Sequence, residues 1–157
     1  HWHGLSLTGN NQYDGVPRLK QCPIPNNGSF LYNFTNCNIL SRPFWYHSHL
    51  EGQLVDGLKG PIVIHNPNDP YLTEYDFDYV ITLSECYRGT EPNPISGDIS
   101  GKGQYNCTLA SNDSCNPNNG VVTYVVQMGK KYRFRTINMS GAAHYIFSID
   151  EHPLTLI

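Results

Sequence analysis

Phe44-Trp45-Tyr46-His47-Ser48-His49 ends a predicted strand on a His-x-His pair, and His1-Trp2-His3-Gly4 carries the same pair forty-six residues earlier. In an extended strand, side chains at i and i+2 point to the same face, roughly 6.5 Å apart. The two imidazoles of each pair therefore face one space, where they can bind one ion or two neighbouring ions. Two such pairs facing each other predict a metal cluster.

The residue types in these pairs point to a transition metal. Neutral imidazole suits copper, zinc, iron and nickel, and copper binds most tightly in the general affinity order. No run of acidic residues accompanies the pairs, which argues against calcium or magnesium. A single His-x-His pair is weak evidence for a metal site, and the second pair with the same spacing strengthens the prediction.

Composition is that of an ordinary globular protein. Of 157 residues, 39% are hydrophobic and 15% are charged, and the formal net charge is −3. The basic cluster of Lys130, Lys131, Arg133 and Arg135 alternates along a predicted strand and is interpreted as a solvated face, so nucleic acid is not an expected partner. No apolar run reaches the roughly 18–20 residues that span a bilayer.

Sequons and cysteines together favour an oxidising secretory route. The five Asn-x-Ser/Thr sequons begin at Asn27, Asn33, Asn106, Asn112 and Asn138. The five cysteines are Cys22, Cys37, Cys86, Cys107 and Cys115, without the Cys-x-x-Cys spacing of zinc sites. We therefore expect a secreted or extracellular protein, held at the cell surface if an anchor follows this segment. The odd count leaves one thiol without a partner inside the segment.

The apolar pattern predicts an all-β fold, because helical periodicity is nearly absent and β-forming runs are bounded by Gly, Pro and Asn. The predicted strands are Ser29–Phe34, Arg42–His47, Gly60–His65, Tyr79–Ser84, Val121–Gln127, Lys131–Asn138 and Tyr145–Asp150. Residues 88–119 are interpreted as a long surface loop. The proline-rich run at residues 66–70 predicts a domain boundary. Short strands between turn clusters are typical of a sandwich or barrel.

Two segments carry a resemblance to a known family. His1–Gly4 is followed by Asp14-Gly15-Val16-Pro17, and Phe44–His49 is followed by Gln53 and Asp56-Gly57-Leu58. Both segments resemble copper-binding segments of the multicopper oxidases, in particular fungal laccases and laccase-like ferroxidases. The similarity extends weakly to Phe147–Asp150, so it covers the whole chain.

The resemblance implies a fold of three consecutive cupredoxin domains, which are Greek-key β-barrels. Residues 1–70 would form most of domain 1 without its opening strands, and residues 71–157 the first part of domain 2. Because the chain begins on a predicted ligand and stops within an apolar strand pattern, we expect an internal segment of a longer protein.

The resemblance also implies a trinuclear copper cluster. In the family pattern, His1 would bind the type 2 copper, while His3, His47 and His49 would bind the type 3 pair. Asp14 matches the family aspartate beside the type 2 site, where it would relay protons and anchor the ligands. The type 1 copper site and the other cluster ligands would lie outside this segment, so the segment alone is not expected to be an active oxidase.

The other three histidines are left out of the predicted site. His65 follows a strand and precedes Asn-Pro, which is typical of a surface position, and His144 and His152 flank a predicted strand. Each of these is interpreted as structural.

The implied reaction is one-electron oxidation of a small phenolic or aromatic donor coupled to four-electron reduction of O₂ to water. Two alternatives stay open, an Fe(II)-oxidising ferroxidase and a non-catalytic copper-binding cupredoxin module. An acidic residue that helps to bind phenols in basidiomycete laccases corresponds to Ala142. Residues 89–94, Gly-Thr-Glu-Pro-Asn-Pro, resemble the loop by which ferroxidases present a glutamate to Fe(II), which makes Glu91 a candidate substrate ligand.

The cysteine pattern departs from the basidiomycete laccases. Two cysteines that are bridged there correspond to Val55 and Gly141, so the resemblance implies that this bridge is missing. Cys22 matches a family cysteine bonded to the far C-terminal region, which makes it the candidate for the unpaired thiol. The pairing of the other four cysteines has three possible arrangements.

Overall fold

The computed structural model describes residues 1–35, 42–87, 94–109, 118 and 120–157. The chain forms two compact units, His1–Asn66 and Pro67–Ile157. The division falls inside the proline-rich run at residues 66–70, where proline removes backbone donors and restricts the residue before it.

Unit 1, residues 1–66, contains a three-stranded antiparallel sheet. Its strands are β1 (Trp2–His3), β2 (Pro43–His47) and β3 (Lys59–Val63), in the order β1-β2-β3. A short 3₁₀ turn, Asn11–Tyr13, follows β1. The strands predicted at residues 42–47 and 60–65 are therefore present with ends shifted by one or two residues.

Unit 2, residues 67–157, contains a second three-stranded sheet. Its strands are β4 (Phe77–Cys86), β5 (Ser96–Ile99) and β6 (Tyr132–Asn138), in the order β5-β4-β6. β5 is antiparallel to β4 and β6 is parallel to it. β4 extends the predicted strand at residues 79–84 in both directions, and β5 lies inside the stretch predicted as a loop.

The all-β prediction is confirmed. Across the described ranges, the helical structure is limited to two three-residue 3₁₀ turns, Asn11–Tyr13 and Cys107–Leu109. Those ranges also contain no helix long and apolar enough to cross a membrane.

Three predicted strands, at residues 29–34, 121–127 and 145–150, do not form. In the segment at 121–127, tyrosine hydroxyls take the place of a strand partner. The Tyr79 hydroxyl donates to the Val125 carbonyl at 3.0 Å, and the Gln127 N–H donates to the Tyr132 hydroxyl at 2.6 Å. Two backbone groups of this segment are thus paired without a ladder, so β propensity alone did not decide the structure.

The alternating aromatic residues at 29–34 predicted a strand, but their rings pack against another aromatic side chain. Tyr32 and Phe34 pack against Trp2, with ring centroids 5.0 and 5.6 Å apart, and Phe30 packs edge-on against Tyr32. The period of two places alternate rings on one side of an extended segment. The rings on that side pack on the Trp2 indole, and the segment forms no strand.

Two arginines interpreted as solvent-facing are buried, so that prediction is wrong. Arg133 is 9% exposed and pairs with Asp69 at 2.6 Å, while Arg135 is 4% exposed and pairs with Asp78 at 2.7 Å. Arg133 also lies over the Tyr75 ring. Their hydrogen-bonded carboxylate partners make burial of the guanidinium groups possible.

The cysteines only partly follow the expected pattern. Cys107 is disulfide-bonded, and Cys22 is free and exposed, as expected for the unpaired thiol. Cys86 is also free and exposed, so it takes no part in the pairing that the sequence suggested. Cys37 and Cys115 lie outside the described residues.

We expect Asp69→Asn to destabilise the protein by about 3 kcal/mol, because it leaves the Arg133 charge buried without its carboxylate. Thermal or denaturant unfolding of the full-length protein measures this loss. Glu74→Gln is the control, since Glu74 pairs with Lys131 at 3.8 Å on the surface and exposed pairs contribute roughly 0–1 kcal/mol. Equal stability of both variants would contradict the prediction.

Candidate metal centre

The two His-x-His pairs are brought together by the register of β1 against β2. Trp2 lies opposite Tyr46, and His3 lies opposite Trp45. Continuing this register, the backbone nitrogen of His1 donates to the His47 carbonyl at 2.8 Å, and the His47 N–H donates to the His1 carbonyl at 3.0 Å. Residues that exchange both backbone hydrogen bonds are directly opposite and share a face.

The face that carries the histidines also carries one indole ring. Trp45 lies beside the rings of His3 and His47. It is stacked on His3 with centroids 4.6 Å apart, and its centroid is 4.5 Å from that of His47. The other face carries Trp2 and Tyr46, with centroids 6.3 Å apart. The strand alternation thus separates a face of imidazoles from a face of aromatic packing.

Three of the predicted ligands form one compact group. Side-chain nitrogens of His1, His3 and His47 all lie within 4.8 Å of one another. The His49 ring is their neighbour, with centroids 5.3 Å from His47 and 5.6 Å from His1. The four histidines named from the sequence therefore lie next to one another, and three of them, His1, His3 and His47, form the group that could hold a metal ion.

Backbone carbonyls set the tautomers of two of these rings. Nδ1 of His1 lies 2.9 Å from the Asp14 carbonyl, and Nδ1 of His47 lies 2.8 Å from the Ser48 carbonyl. A carbonyl only accepts, so Nδ1 must carry the proton and donate in both rings. In the neutral ring this leaves the lone pair on Nε2, the arrangement typical of metal-binding histidines.

The rings of His3 and His47 also approach each other, because Nδ1 of His3 lies 3.4 Å from Nε2 of His47. Burial lowers the pKa of His3, and its histidine neighbours lower it further. Burial also lowers the pKa of His47, and nearby histidines add to this effect against an opposing hydrogen bond to Ser48. Both rings therefore favour the neutral form, which is the form that binds a metal.

Asp14 lies beside the ring of His1. Its Oδ1 is 3.3 Å from Nδ1 of His1, and its side chain is 27% exposed. The carboxylate thus contacts the predicted ligand on one side and water on the other. Its backbone carbonyl holds the same imidazole nitrogen, so one residue both orients His1 and places an acid–base group next to it.

The turn around Asp14 fits tightly against the start of β1. Gly15 has φ +83°, and a Cβ there would lie 2.7 Å from the His1 nitrogen and 2.9 Å from its Cα. The indole N–H of Trp2 donates to the Tyr13 carbonyl at 2.8 Å. The side chains of Trp2 and His1 therefore each bond one carbonyl of this turn, Trp2 that of Tyr13 and His1 that of Asp14.

This donor set fits copper. The group consists of imidazole nitrogens, which suit copper and other first-row transition metals, and copper binds most tightly among them. The rings of His1 and His47 have their tautomers set by a hydrogen bond at Nδ1, as is typical of metal-binding histidines.

The remaining predicted residues lie elsewhere. His65, His144 and His152 are exposed and belong to no metal-binding group among the described residues. Glu91 lies outside the described residues. Ala142, in unit 2, donates its N–H to Oε1 of Glu85 at 3.0 Å.

Sequence reasoning missed several residues that support these sites. Gly15 and Trp2 were noted as parts of motifs, but their contacts with residues 1 and 13 have no signal in a single sequence. Glu85 is 4% exposed, and its Oε1 also accepts from the Gly141 N–H at 2.7 Å. Burial raises the pKa of Glu85, but donors around the carboxylate, which include the Gly141 and Ala142 N–H groups, outweigh it, and the pKa stays below its ordinary value.

Two family profiles, both described as multicopper oxidase, match residues 1–69 and 77–157. Laccase-2 of Pleurotus ostreatus is 40% identical over 166 residues, and the laccase of Phlebia radiata is 42% identical over 164 residues. These alignments cover 100% of this chain but only 30% and 31% of the two relatives. The chain therefore spans about a third of their length.

Solved structures agree with this assignment. Fet3p, a multicopper oxidase that functions in iron import, is 33% identical with a TM-score of 0.69, over 90% of this chain and 26% of Fet3p. A point mutant of the laccase from B. aclada is 31% identical with a TM-score of 0.73, over 89% of this chain and 28% of that laccase. The predicted cupredoxin-like fold class is confirmed by these neighbours, and the chain belongs to the multicopper oxidase family.

Proposed function

We propose that the longer protein containing this chain is a laccase-like oxidase. It would oxidise small phenolic or aromatic donors one electron at a time and reduce O₂ to water. The observation that carries this proposal is the imidazole-only group of His1, His3 and His47, with the His49 ring beside it. The similarity to fungal laccases along the whole chain supports the same function.

In this proposal, His1 holds the type 2 copper, and His3, His47 and His49 contribute to the type 3 pair. Bound copper would supply redox chemistry that links one-electron oxidation of the donor to four-electron reduction of O₂. The protein orients the ligands through the Asp14 and Ser48 carbonyls. The type 1 site and the remaining cluster ligands belong to parts of the protein outside this chain.

Asp14 is proposed as a proton carrier. Reduction of O₂ to two waters consumes protons, which have to be delivered from solvent to the site. The Asp14 carboxylate contacts Nδ1 of His1 and is partly exposed to water. It can therefore take up a proton from solvent and release it beside the metal ligands.

We also propose that the two units correspond to most of domain 1, residues 1–70, and to the first part of domain 2, residues 71–157. The boundary near Asn66 and the family matches at 1–69 and 77–157 support this division.

Secretion is also proposed. It is supported by the sequons, the disulfide at Cys107 and the similarity to fungal laccases.

Oxidation of Fe(II) is the second candidate function. It is supported by the similarity to Fet3p, which functions in iron import. Position 142 also supports it, because alanine stands there in place of the acidic residue that helps to bind phenols in the resembling laccases. The ferroxidase-like motif around Glu91 supports it too. A carboxylate is a hard oxygen ligand, so Glu91 would bind Fe(II) better than it would bind a neutral aromatic donor.

Oxygen consumption by the full-length, copper-loaded protein distinguishes these functions. Catalytic efficiency is compared for Fe(II) and a methoxyphenol at one pH, before and after Glu91→Ala. Efficient phenol turnover that is indifferent to Glu91 establishes the laccase reaction. A strong Fe(II) preference that collapses in the variant establishes a ferroxidase, and no oxygen uptake with either donor indicates a copper-binding module without oxidase activity.

We expect Asp14→Asn to slow oxygen turnover at least tenfold while copper content stays close to wild type. An amide keeps the size of the side chain and one acceptor oxygen, but it cannot take up and release the proton. Glu51→Gln is the control, because Glu51 is an exposed carboxylate 3.8 Å from Arg18. Unchanged oxygen turnover in Asp14→Asn would count against the proton-carrier role.

Gly15→Ala should lower copper occupancy, because the new Cβ has no room against His1 and must displace it. Gly9→Ala is a matched control, since Gly9 has φ +80° but no atom within 4 Å of the added Cβ. Both variants carry the left-handed backbone strain of about 1–2 kcal/mol. Metal analysis and the electron paramagnetic resonance signal of the type 2 copper separate them, and equal copper loss in both would refute a specific clash at His1.

A further inference from the structure

We propose that Asn106 carries an N-linked glycan in the mature protein, and that Asn138, which begins a sequon in the same unit, does not. The two sequons are Asn106-Cys107-Thr108 and Asn138-Met139-Ser140. The proposal is independent of the copper chemistry and requires only that the chain passes through a secretory pathway. The two asparagines differ in the hydrogen bonds that their side-chain amides make in the folded protein.

The Asn106 sequon is open on the surface. Asn106 and Thr108 are both exposed. The Asn106 Oδ1 accepts from the Thr108 N–H at 3.1 Å and from the Thr108 hydroxyl at 2.7 Å. Within the described ranges, Nδ2 of Asn106 donates to no acceptor, so a sugar attached there breaks no bond of the fold.

The middle residue of this sequon stabilises its position. Cys107 is disulfide-bonded and opens the short turn Cys107–Leu109. A disulfide limits the conformations of the chain around it. The acceptor asparagine is therefore presented beside a covalent anchor while its own side chain remains in water.

The Asn138 amide, by contrast, closes the turn after β6. Its Nδ2 donates to the Ala143 carbonyl at 2.9 Å, and its Oδ1 accepts from the Ser140 N–H at 3.0 Å. Asn138 itself is exposed, but Met139 is 7% exposed and the Ser140 hydroxyl oxygen is buried. Both polar ends of the Asn138 side chain are thus committed to backbone partners.

A buried carboxylate holds the same turn. Glu85 is 4% exposed, and its Oε1 accepts from the Gly141 N–H at 2.7 Å and the Ala142 N–H at 3.0 Å. A glycan on Nδ2 of Asn138 would have to be accommodated where this nitrogen bonds Ala143. It would disturb the turn whose N–H groups donate to the buried Glu85 carboxylate, and a buried charge is costly without its hydrogen-bond donors.

The transfer itself is a substitution at a sugar carbon. Nδ2 of Asn106 forms a bond to the anomeric carbon of an oligosaccharide linked to a lipid pyrophosphate. The carbon–oxygen bond to the pyrophosphate breaks, one Nδ2 proton is released, and the lipid pyrophosphate leaves. No oxidant or reductant is required, and the Asn-x-Thr pattern is the acceptor motif for this reaction.

The full-length protein is expressed in a yeast host behind a leader peptide of that host, so that this leader directs its entry into the secretory pathway. The secreted protein is treated with peptide N-glycosidase in heavy-oxygen water, which marks each glycosylated asparagine as labelled aspartate. We expect the label on the Asn106 peptide in most molecules and unmodified asparagine in the Asn138 peptide. An unlabelled Asn106 peptide, or a labelled Asn138 peptide, would overturn the proposal.

Variants provide a second measurement by electrophoretic mobility. Asn106→Gln and Thr108→Ala should each remove one glycan-sized step, since each destroys the sequon by a different residue. Ser140→Ala is the matched control, because it destroys the second sequon but leaves the Asn138 side chain and its bond to Ala143 in place. A mobility step lost in Ser140→Ala, or retained in both Asn106→Gln and Thr108→Ala, would contradict the assignment.

Discussion

The reciprocal backbone hydrogen bonds between His1 and His47 are the constraint on which the metal centre depends. They fix the register of β1 against β2, and a shift by one residue would turn every side chain of one strand to the opposite face. In the observed register, the imidazoles share one face with Trp45, and Trp2 and Tyr46 share the other. Two histidine pairs that are distant in sequence become neighbours where these two backbone bonds join the strands.

Around this pair, orientation is set by backbone carbonyls more than by side chains. The Asp14 and Ser48 carbonyls hold Nδ1 of His1 and His47, which leaves Nε2 of each neutral ring for a metal. The close approach of Gly15 to His1 lets the Asp14 turn reach the strand. The proposed proton carrier is thus part of the same turn that orients its neighbouring ligand.

Sequence patterns predicted the strands with strong pairing and failed where another interaction replaced a ladder. β2, β3, β4 and β6 lie where β-forming runs predicted them. The segment at residues 121–127 is also rich in β-forming residues, but two of its backbone groups bond to tyrosine hydroxyls and it forms no strand. Arg133 and Arg135 alternate like a solvated face, yet Asp69 and Asp78 allow them to be buried. Partners distant along the chain are not visible in a local pattern.

Residue identity and spacing were enough to single out the four histidines that come together, to indicate their imidazole chemistry and to predict the all-β class, because alternation and donor type are local properties. Tertiary structure decided the register that joins the two pairs, the nitrogen that each ring leaves for a metal, and the burial of Glu85. It also separated Asn106 from Asn138, which are equivalent as sequons. These outcomes depend on hydrogen-bond partners brought together only when the strands pair and the turns close against them.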